Sequence, residues 1–261
     1  MVINVNELQE GLRTKRFGKR IVFLREVDST NNVAKELASY GAVEGTVVIA
    51  EAQTVGRGRL NRKWISPKGG LYFSIILRPK TNSSEAVKLV FVAGLAVAET
   101  LRELYHSKVE TKWPNDVLVG GRKVCGILSE MRTTNERVGF VVIGIGVNAN
   151  FDVKKDIPRE LWGSAISLEN ELGKKVNLEE LFRVLLEKLE NVYDSFLKEG
   201  FAPVLEKWKA FASFLGQKVT VISETGELAG LALDVKDDGS LIVKLEDGKE
   251  KRILVGDVSM R

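Results

Sequence analysis

Residues 109–121 read Val109-Glu110-Thr111-Lys112-Trp113-Pro114-Asn115-Asp116-Val117-Leu118-Val119-Gly120-Gly121. Two runs rich in β-branched residues flank Pro114-Asn115. Proline fixes φ and carries no N–H, so it closes a strand rather than continuing it. Gly120-Gly121 supplies the backbone freedom that a tight hairpin needs. Val124 to Met131 and Val138 to Ile145 follow as two more apolar runs. The stretch therefore predicts consecutive strands joined by hairpins.

Upstream, Ile21 to Leu24 is a short strand ending at Asp28-Ser29-Thr30-Asn31, a cluster of helix N-cap residues. A helix follows, with Val33, Ala34, Leu37 and Ala38 on one face. Thr46 to Ala50 is a strand, residues 53–70 a loop rich in Gly and Arg, and Leu71 to Leu77 a strand. Glu85 to His106 has helical spacing, and Ala93, Gly94 and Ala96 predict close packing on a sheet. Downstream, Leu178 to Leu197 is the clearest amphipathic helix. A second helix is expected from Pro203 to Leu215, with Gly216 as its C-cap. The fold class is α+β, a mixed β-sheet packed with helices.

After Gly216 the pattern changes to short strands: Lys218 to Ile222, Leu228 to Val235, Leu241 to Leu245 and Lys251 to Val255. Residues 224–227, 237–239 and 246–248 are turns between them. This spacing predicts a small β-barrel. The expected domains are residues 1–215 and 216–261.

Composition narrows the function. The 261 residues are 44% hydrophobic and 28% charged, an ordinary globular balance. One cysteine (Cys125) and one histidine (His106) exclude an internal disulfide, CxxC chemistry and His-pair metal sites. Residues 1–11 lack the apolar core of a secretory signal. Leu89 to Ala98 falls well short of the ~20 apolar residues of a membrane span. A soluble, cytoplasmic protein is expected. The net charge is +4, but no acidic residue lies between Ala52 and Ser84. That window holds Arg57, Arg59, Arg62, Lys63, Lys68, Arg78 and Lys80, so the rest of the chain sums to 4 − 7 = −3.

Four patterns carry candidate chemistry. Gly56-Arg57-Gly58-Arg59-Leu60-Asn61-Arg62-Lys63-Trp64 combines close backbone approach with guanidinium forks for phosphate or carboxylate. It is not a P-loop, because no Gly-Lys-Ser/Thr follows. A solvated basic loop is the plain alternative. Lys112 to Asp116 places a lysine on a rigid strand end, or is an ordinary strand-to-turn junction. Ser29-Thr30-Asn31-Asn32 either caps a helix or offers polar contacts. Gly144 to Asn150 follows a strand, and its glycines admit a flat ligand or merely kink the chain.

Together and in this order, these patterns resemble the biotin protein ligase, or biotin–[acetyl-CoA-carboxylase] ligase, family. The most specific runs are residues 50–59, Ala50 to Arg59, and Lys112 to Asp116. Gly126 to Glu130 and Gly144 to Asn148 also fit. The resemblance covers nearly the whole chain, in a short form without an N-terminal DNA-binding domain. It implies a biotin ligase–lipoate ligase fold, class II synthetase-like, followed by an SH3-like barrel. The implied reaction has two steps. Biotin and ATP give biotinyl-5′-adenylate and pyrophosphate, and the acyl group then passes to a lysine of a biotin carboxyl carrier protein. Lipoate and octanoyl ligases or transferases share the fold and are the alternative.

By resemblance, Ser29, Thr30, Asn31 and Gln53 serve biotin, and Arg57, Gly58 and Arg59 fold over biotin and the phosphates. Arg62, Trp64 and Asn148 serve ATP, and Lys112 is the catalytic lysine, touching both substrates. Mg2+ accompanies ATP, with no ligands assigned. A homodimer, a carrier-protein partner, and no DNA or membrane partner are expected. Asn61 stands where many members have Gly, and Cys125 where Ala is frequent. Adenylation joins two anions, which cationic side chains must hold together. It needs no base, since a carboxylate is already ionised. Transfer requires the acceptor lysine to lose a proton, for which Asp116 is a possible base. Residues 54–65 are expected to order over ligand. Lys68, Arg78 and Lys80 read as surface charge.

Overall fold

A computed structural model describes residues 8–134, 137–223 and 226–260. The predicted turn at 224–227 begins outside the described residues, as do residues 1–7 of the segment scanned for a signal.

The first unit is one sheet with helices on both faces. Strands β1 (Ile21–Val27), β2 (Val47–Gln53), β3 (Leu71–Leu77), β4 (Val109–Lys112), β5 (Asp116–Val119), β6 (Arg122–Thr134) and β7 (Arg137–Val147) lie in the order β1-β2-β3-β7-β6-β5-β4. Only β1 and β2 are parallel, joined by the crossover helix α1 (Thr30–Ser39). The other pairs are antiparallel. Gly120 and Gly121 both have positive φ at the β5–β6 turn, as the hairpin reading requires.

Strand alternation assigns the two faces. Phe73, Ile75, Val141, Ile143 and Ile145 enter the main core beneath helices α3 (Leu89–Tyr105) and α6 (Leu178–Glu199). Phe73 meets Phe182 edge-on at 5.4 Å. The opposite face carries Val48, Ile76, Phe140 and Val142 against Ala34 and Ala38 of α1. Along β7 this second face runs Phe140, Val142, Gly144, Gly146, so bulk falls to nothing past the end of α1. That loss of side chains makes room for Asn31 and Trp64 against the strand and leaves both glycines lining a hollow on the sheet.

Two helical readings are corrected. The predicted 85–106 helix begins as a separate turn, α2 (Ser83–Ala86), capped by the Asn82 side chain. Three-residue hydrogen bonds from Lys88 and Phe91 then tighten the chain before α3 proper. His106 ends α3 in the left-handed region, φ 51°. Short helices α4 (Val153–Asp156) and α5 (Leu168–Leu172) follow β7. After α6, helix α7 (Ala202–Lys209) stops well before Leu215, because residues 211–215 form tight turns. Gly216 is no helix cap. Its N–H donates to the Ala232 carbonyl and starts the second unit.

That unit is a five-stranded antiparallel sheet of β8 (Lys218–Ser223), β9 (Gly226–Val235), β10 (Leu241–Lys244), β11 (Glu250–Ile253) and β12 (Asp257–Ser259), ordered β11-β10-β9-β8-β12. The sequence reading missed β12, a strand of three residues. The two units are tied together. Trp113 Nε1 donates to the Gly239 carbonyl at 2.9 Å, and Lys209 pairs with Asp234 at 2.5 Å.

Candidate active site

The hollow over Gly144 and Gly146 is part of a cleft of about 520 Å³. Every residue singled out for ligand contact lines it: Ser29, Thr30, Asn31, Gln53, Arg57, Gly58, Arg59, Arg62, Trp64, Lys112, Asp116 and Asn148.

Ser29 is the N-cap residue of α1 by backbone, yet its side chain makes no cap hydrogen bond. Ser29 is one of the residues that line the cleft. Thr30 N–H and Oγ1 donate to Gln53 Oε1 at 2.9 and 3.2 Å. Gln53 Nε2 donates to Ser66 Oγ at 2.8 Å. Ser74, on the Gly144 face of β3, donates to Asn31 Oδ1 at 2.6 Å and lies 2.8 Å from Thr30 Oγ1. Asn31 Nδ2 donates to Glu130 Oε2 at 2.9 Å. A side chain at Gly144 would collide with Asn31, its Cβ falling 2.1 Å from Oδ1. The residues lining this end of the cleft are uncharged, largely buried and cross-linked between α1, β2 and β3, with the Glu130 carboxylate of β6 behind them.

The arginine loop is held differently. Arg62 N–H donates to the Arg59 carbonyl at 3.0 Å and Gly58 N–H to the Arg62 carbonyl at 2.8 Å, closing a turn through Leu60 and Asn61, both at positive φ (51° and 56°). Asn tolerates that region better than most residues, which explains how it can replace glycine there. The side chains are then tied by ion pairs to other elements. Arg57 Nη1 donates to both oxygens of Glu130, at 2.9 and 3.1 Å. Lys35 also pairs with Glu130, at 2.7 Å. Burial alone would raise the Glu130 carboxyl. Lys35, Asn31 and Arg57 outweigh it and hold the group below the ordinary carboxylate value. Arg59 Nη1 lies 3.2 Å from Asp257 Oδ1 and 3.2 Å from Asn115 Oδ1. Arg62 Nη1 lies 2.7 Å from Asp257 Oδ2. Burial lowers the Arg59 guanidinium, against the opposing pull of Asp257 and Asp116.

In the middle of the cleft, Lys112 and Asp116 end paired strands, with Nζ and Oδ2 3.2 Å apart. Lys123 Nζ takes the other oxygen, Oδ1, at 2.6 Å. Asp116 is buried, which opposes its charge, but the two ammoniums prevail and its carboxyl sits below the usual range. An anion held this way has little affinity for a proton near neutral pH, which does not suit the base role expected of it. At the far end, the Trp64 ring lies on Gly126 and Gly146, where a Cβ would come within 2.8 and 2.5 Å of it. Asn148 Nδ2 donates to the Ile166 carbonyl at 3.1 Å.

The sequence reading missed Lys123, gave Glu130 no role, and overlooked Asp257. Glu130 shares the period-two face of Gly126 and Leu128, a signal that was present. Asp257 had none, since it comes from the second unit. Arg78 is also corrected. It is no free surface charge, because its guanidinium donates to the Ala38 and Ala42 carbonyls behind α1 and to Gly139. Lys68 and Lys80 are exposed as expected. Cys125 is fully buried and its thiol is raised by desolvation, in keeping with a packing role.

Residues 23–148 match the model of the Biotin/lipoate A/B protein ligase family, and residues 214–261 match the Biotin protein ligase C terminal domain. The bifunctional ligase/repressor BirA of Bacillus subtilis is 35% identical over 95% of this chain and 77% of its own length.

The chain belongs to the biotin protein ligase family.

The biotin–[acetyl-CoA-carboxylase] ligase of Paracoccus denitrificans is 33% identical, over 87% of this chain and 95% of that one. Among solved structures, the biotin protein ligase of Aquifex aeolicus in complex with biotin and ATP superposes with a TM-score of 0.78. It is 33% identical and covers 93% of this chain and 99% of that one. The chain thus has the biotin ligase fold and is a ligase of the ATP-dependent kind. No described helix is long and apolar enough to cross a membrane.

Proposed function

We propose that this ligase activates biotin with ATP to biotinyl-5′-adenylate, releasing pyrophosphate, and transfers the biotinyl group to one lysine of a biotin carboxyl carrier domain. The observation that carries the reading is the order of groups along one cleft. A neutral hydrogen-bonding pocket lies at one end, a cluster of cations in the middle, and a tryptophan on bare glycine backbone at the other.

The ureido ring of biotin has two N–H donors and one carbonyl. Ser29, Thr30, Asn31 and Gln53 supply hydroxyl and amide partners for it, on a support that is already cross-linked. A site built to pair such groups rejects an acid that lacks them, which favours biotin over lipoate. The apolar stem then runs over Gly144 towards Lys112. Arg57, Arg59 and Lys112 draw the carboxylate and the α-phosphate together by cancelling their mutual repulsion. They also stabilise charge that grows as the carboxylate oxygen attacks phosphorus and pyrophosphate leaves. Arg62 serves the outer phosphates, Trp64 the adenine face, and Asn148 the adenine edge. Mg2+ enters as part of the ATP substrate. Among the described residues there is no cluster of three or more His, Cys, Asp or Glu that could hold it independently.

In transfer, the acceptor amine attacks the acyl carbon and AMP departs. Asp116 is spoken for by two lysines, so the acceptor's proton passes to solvent rather than to a side chain. The same reading includes a catalytic unit to residue 215, a barrel from residue 216, and a homodimer formed through a sheet edge. Incubation with biotin, ATP, Mg2+ and a carrier domain, followed by avidin detection, tests it. Labelling of the carrier that requires both ATP and biotin is expected. Absence of label, or equal modification with lipoate, would reject it.

A further inference from the structure

Lys123 is the cation of the cleft that no motif accounted for, and its surroundings are specific. The β5–β6 pairing shifts register between Val117 and Leu118, opposite Cys125 and Lys123. One extra residue, Val124, is thereby inserted into β6. By simple alternation Lys123 and Gly126 would face opposite sides of the sheet, being three residues apart. The bulge restores them to the same side. It turns the Lys123 side chain into the cleft, where Nζ reaches Asp116 at 2.6 Å and lies 5.2 Å from the centre of the Trp64 ring. The Lys123 carbonyl accepts from Asn148 Nδ2 at 3.4 Å. Lys123 therefore sits between the carboxylate it shares with Lys112 and both residues assigned to the adenine.

Asp116 has only two oxygens, and each is given to a different lysine. An ammonium has three donors. Lys112 and Lys123 each form an ion pair with one oxygen of Asp116, which leaves donors on both ammoniums for ligand. The arrangement is a two-point cationic clamp with a fixed spacer. We infer that Lys123 is a second substrate-contacting lysine, binding the α-phosphate of the nucleotide while Lys112 serves the biotin carboxylate, with Asp116 setting the distance between them.

This inference rests on the proposed reaction and deepens it. In adenylation the carboxylate oxygen forms a bond to the α-phosphorus, and the bond to the departing pyrophosphate oxygen breaks. Lys123 neutralises charge on the α-phosphoryl oxygens. In transfer the amine nitrogen bonds to the acyl carbon and the acyl C–O bond breaks. Its electron pair leaves on the same phosphate, now AMP, and the amine's proton goes to solvent. One lysine on the α-phosphate thus acts in both steps, first on the electrophile and then on the leaving group.

The test compares wild type with K123M and K123R. ATP and biotin dissociation constants are measured separately by calorimetry, and both half-reactions are timed. K123M is expected to weaken ATP by about tenfold or more, as loss of a charge-assisted phosphate contact implies. Biotin binding should stay within about twofold, because the ureido pocket is untouched. Both half-reactions should slow, and K123R should recover a large part of each. Unchanged ATP affinity and rates in K123M would overturn the inference. Equal losses for ATP and biotin, with a lowered melting temperature and no rescue by K123R, would also overturn it by making Lys123 structural. If wild type itself showed no biotin-dependent exchange, the proposed reaction would fail. The ATP titration of K123M would still decide the phosphate contact.

Discussion

Two parts of the cleft, the hydrogen-bonding pocket at one end and the arginine loop that covers it, are built on different physical terms. The pocket around Thr30, Asn31 and Gln53 is neutral, buried and hydrogen-bonded through elements that already pack for other reasons. The arginine loop is cationic and half-exposed, and it is held by carboxylates from two separate places. Glu130 of β6 takes Arg57, and Asp257 of the barrel takes Arg59 and Arg62. Buried hydrogen bonds are costly to leave unmade, whereas part-exposed ion pairs exchange readily for water or for another anion. One end is therefore preorganised. On the proposed reaction, the arginine loop trades its carboxylate partners for the carboxylate and phosphates of ligands.

The sharpest way to break the preorganised end is Gly144→Ala. The new methyl would displace Asn31 and, with it, the contacts to Ser74 and Glu130. Biotin affinity is expected to fall by about tenfold to a hundredfold, the equivalent of ~1–3 kcal/mol of disturbed buried hydrogen bonds. ATP affinity should change much less, and calorimetry with each ligand separates the two. Asp257→Ala attacks the arginine loop. It should speed proteolytic cleavage within residues 54–65 about severalfold in the absence of ligand, since the loop loses its anchor to the barrel. Biotin affinity should hold, and saturating biotin with ATP should restore protection. Cleavage equal to wild type would mean that the ion pairs do not hold the loop.

The smallest effect concerns pH. The folded Glu130 carboxyl lies below its ordinary value of about 4.3. A depressed carboxyl contributes stability that is present above the unfolded value and is lost as pH falls through the folded one. Wild type should lose more denaturant resistance between pH 6 and pH 3.5 than Glu130→Gln does. Parallel pH profiles for the two proteins would remove Glu130 from the account.

The same contrast explains what could be read in the sequence. Strand alternation already contained the hollow, in the succession Phe140, Val142, Gly144, Gly146. The N-cap cluster before α1 and the Gly/Arg run placed both sides of the cleft, because each is a local pattern. What stayed hidden required either a break in period or a contact across the chain. Lys123 reaches the cleft only through a bulge at Val124, which alternation cannot anticipate. Asp257 lies on a three-residue strand nearly 200 positions from Arg59, with no local feature to mark it. Arg78 belongs to the basic window by sequence but to the end of α1 by structure. The excess of positive charge between Ala52 and Ser84 thus divides into cations that line the cleft, Arg57, Arg59, Arg62 and Lys63, and one structural staple, Arg78. Lys68 and Lys80 add surface charge.

The central claim is that the cations over this cleft join a biotin carboxylate to ATP, with Lys112 at the point of reaction. Exchange of labelled pyrophosphate into ATP measures that step without any carrier protein. Wild type is expected to exchange when biotin is present and not with lipoate, while Lys112→Ala retains its fold and loses the exchange. Exchange at the wild-type rate in Lys112→Ala, or exchange independent of biotin, would contradict it.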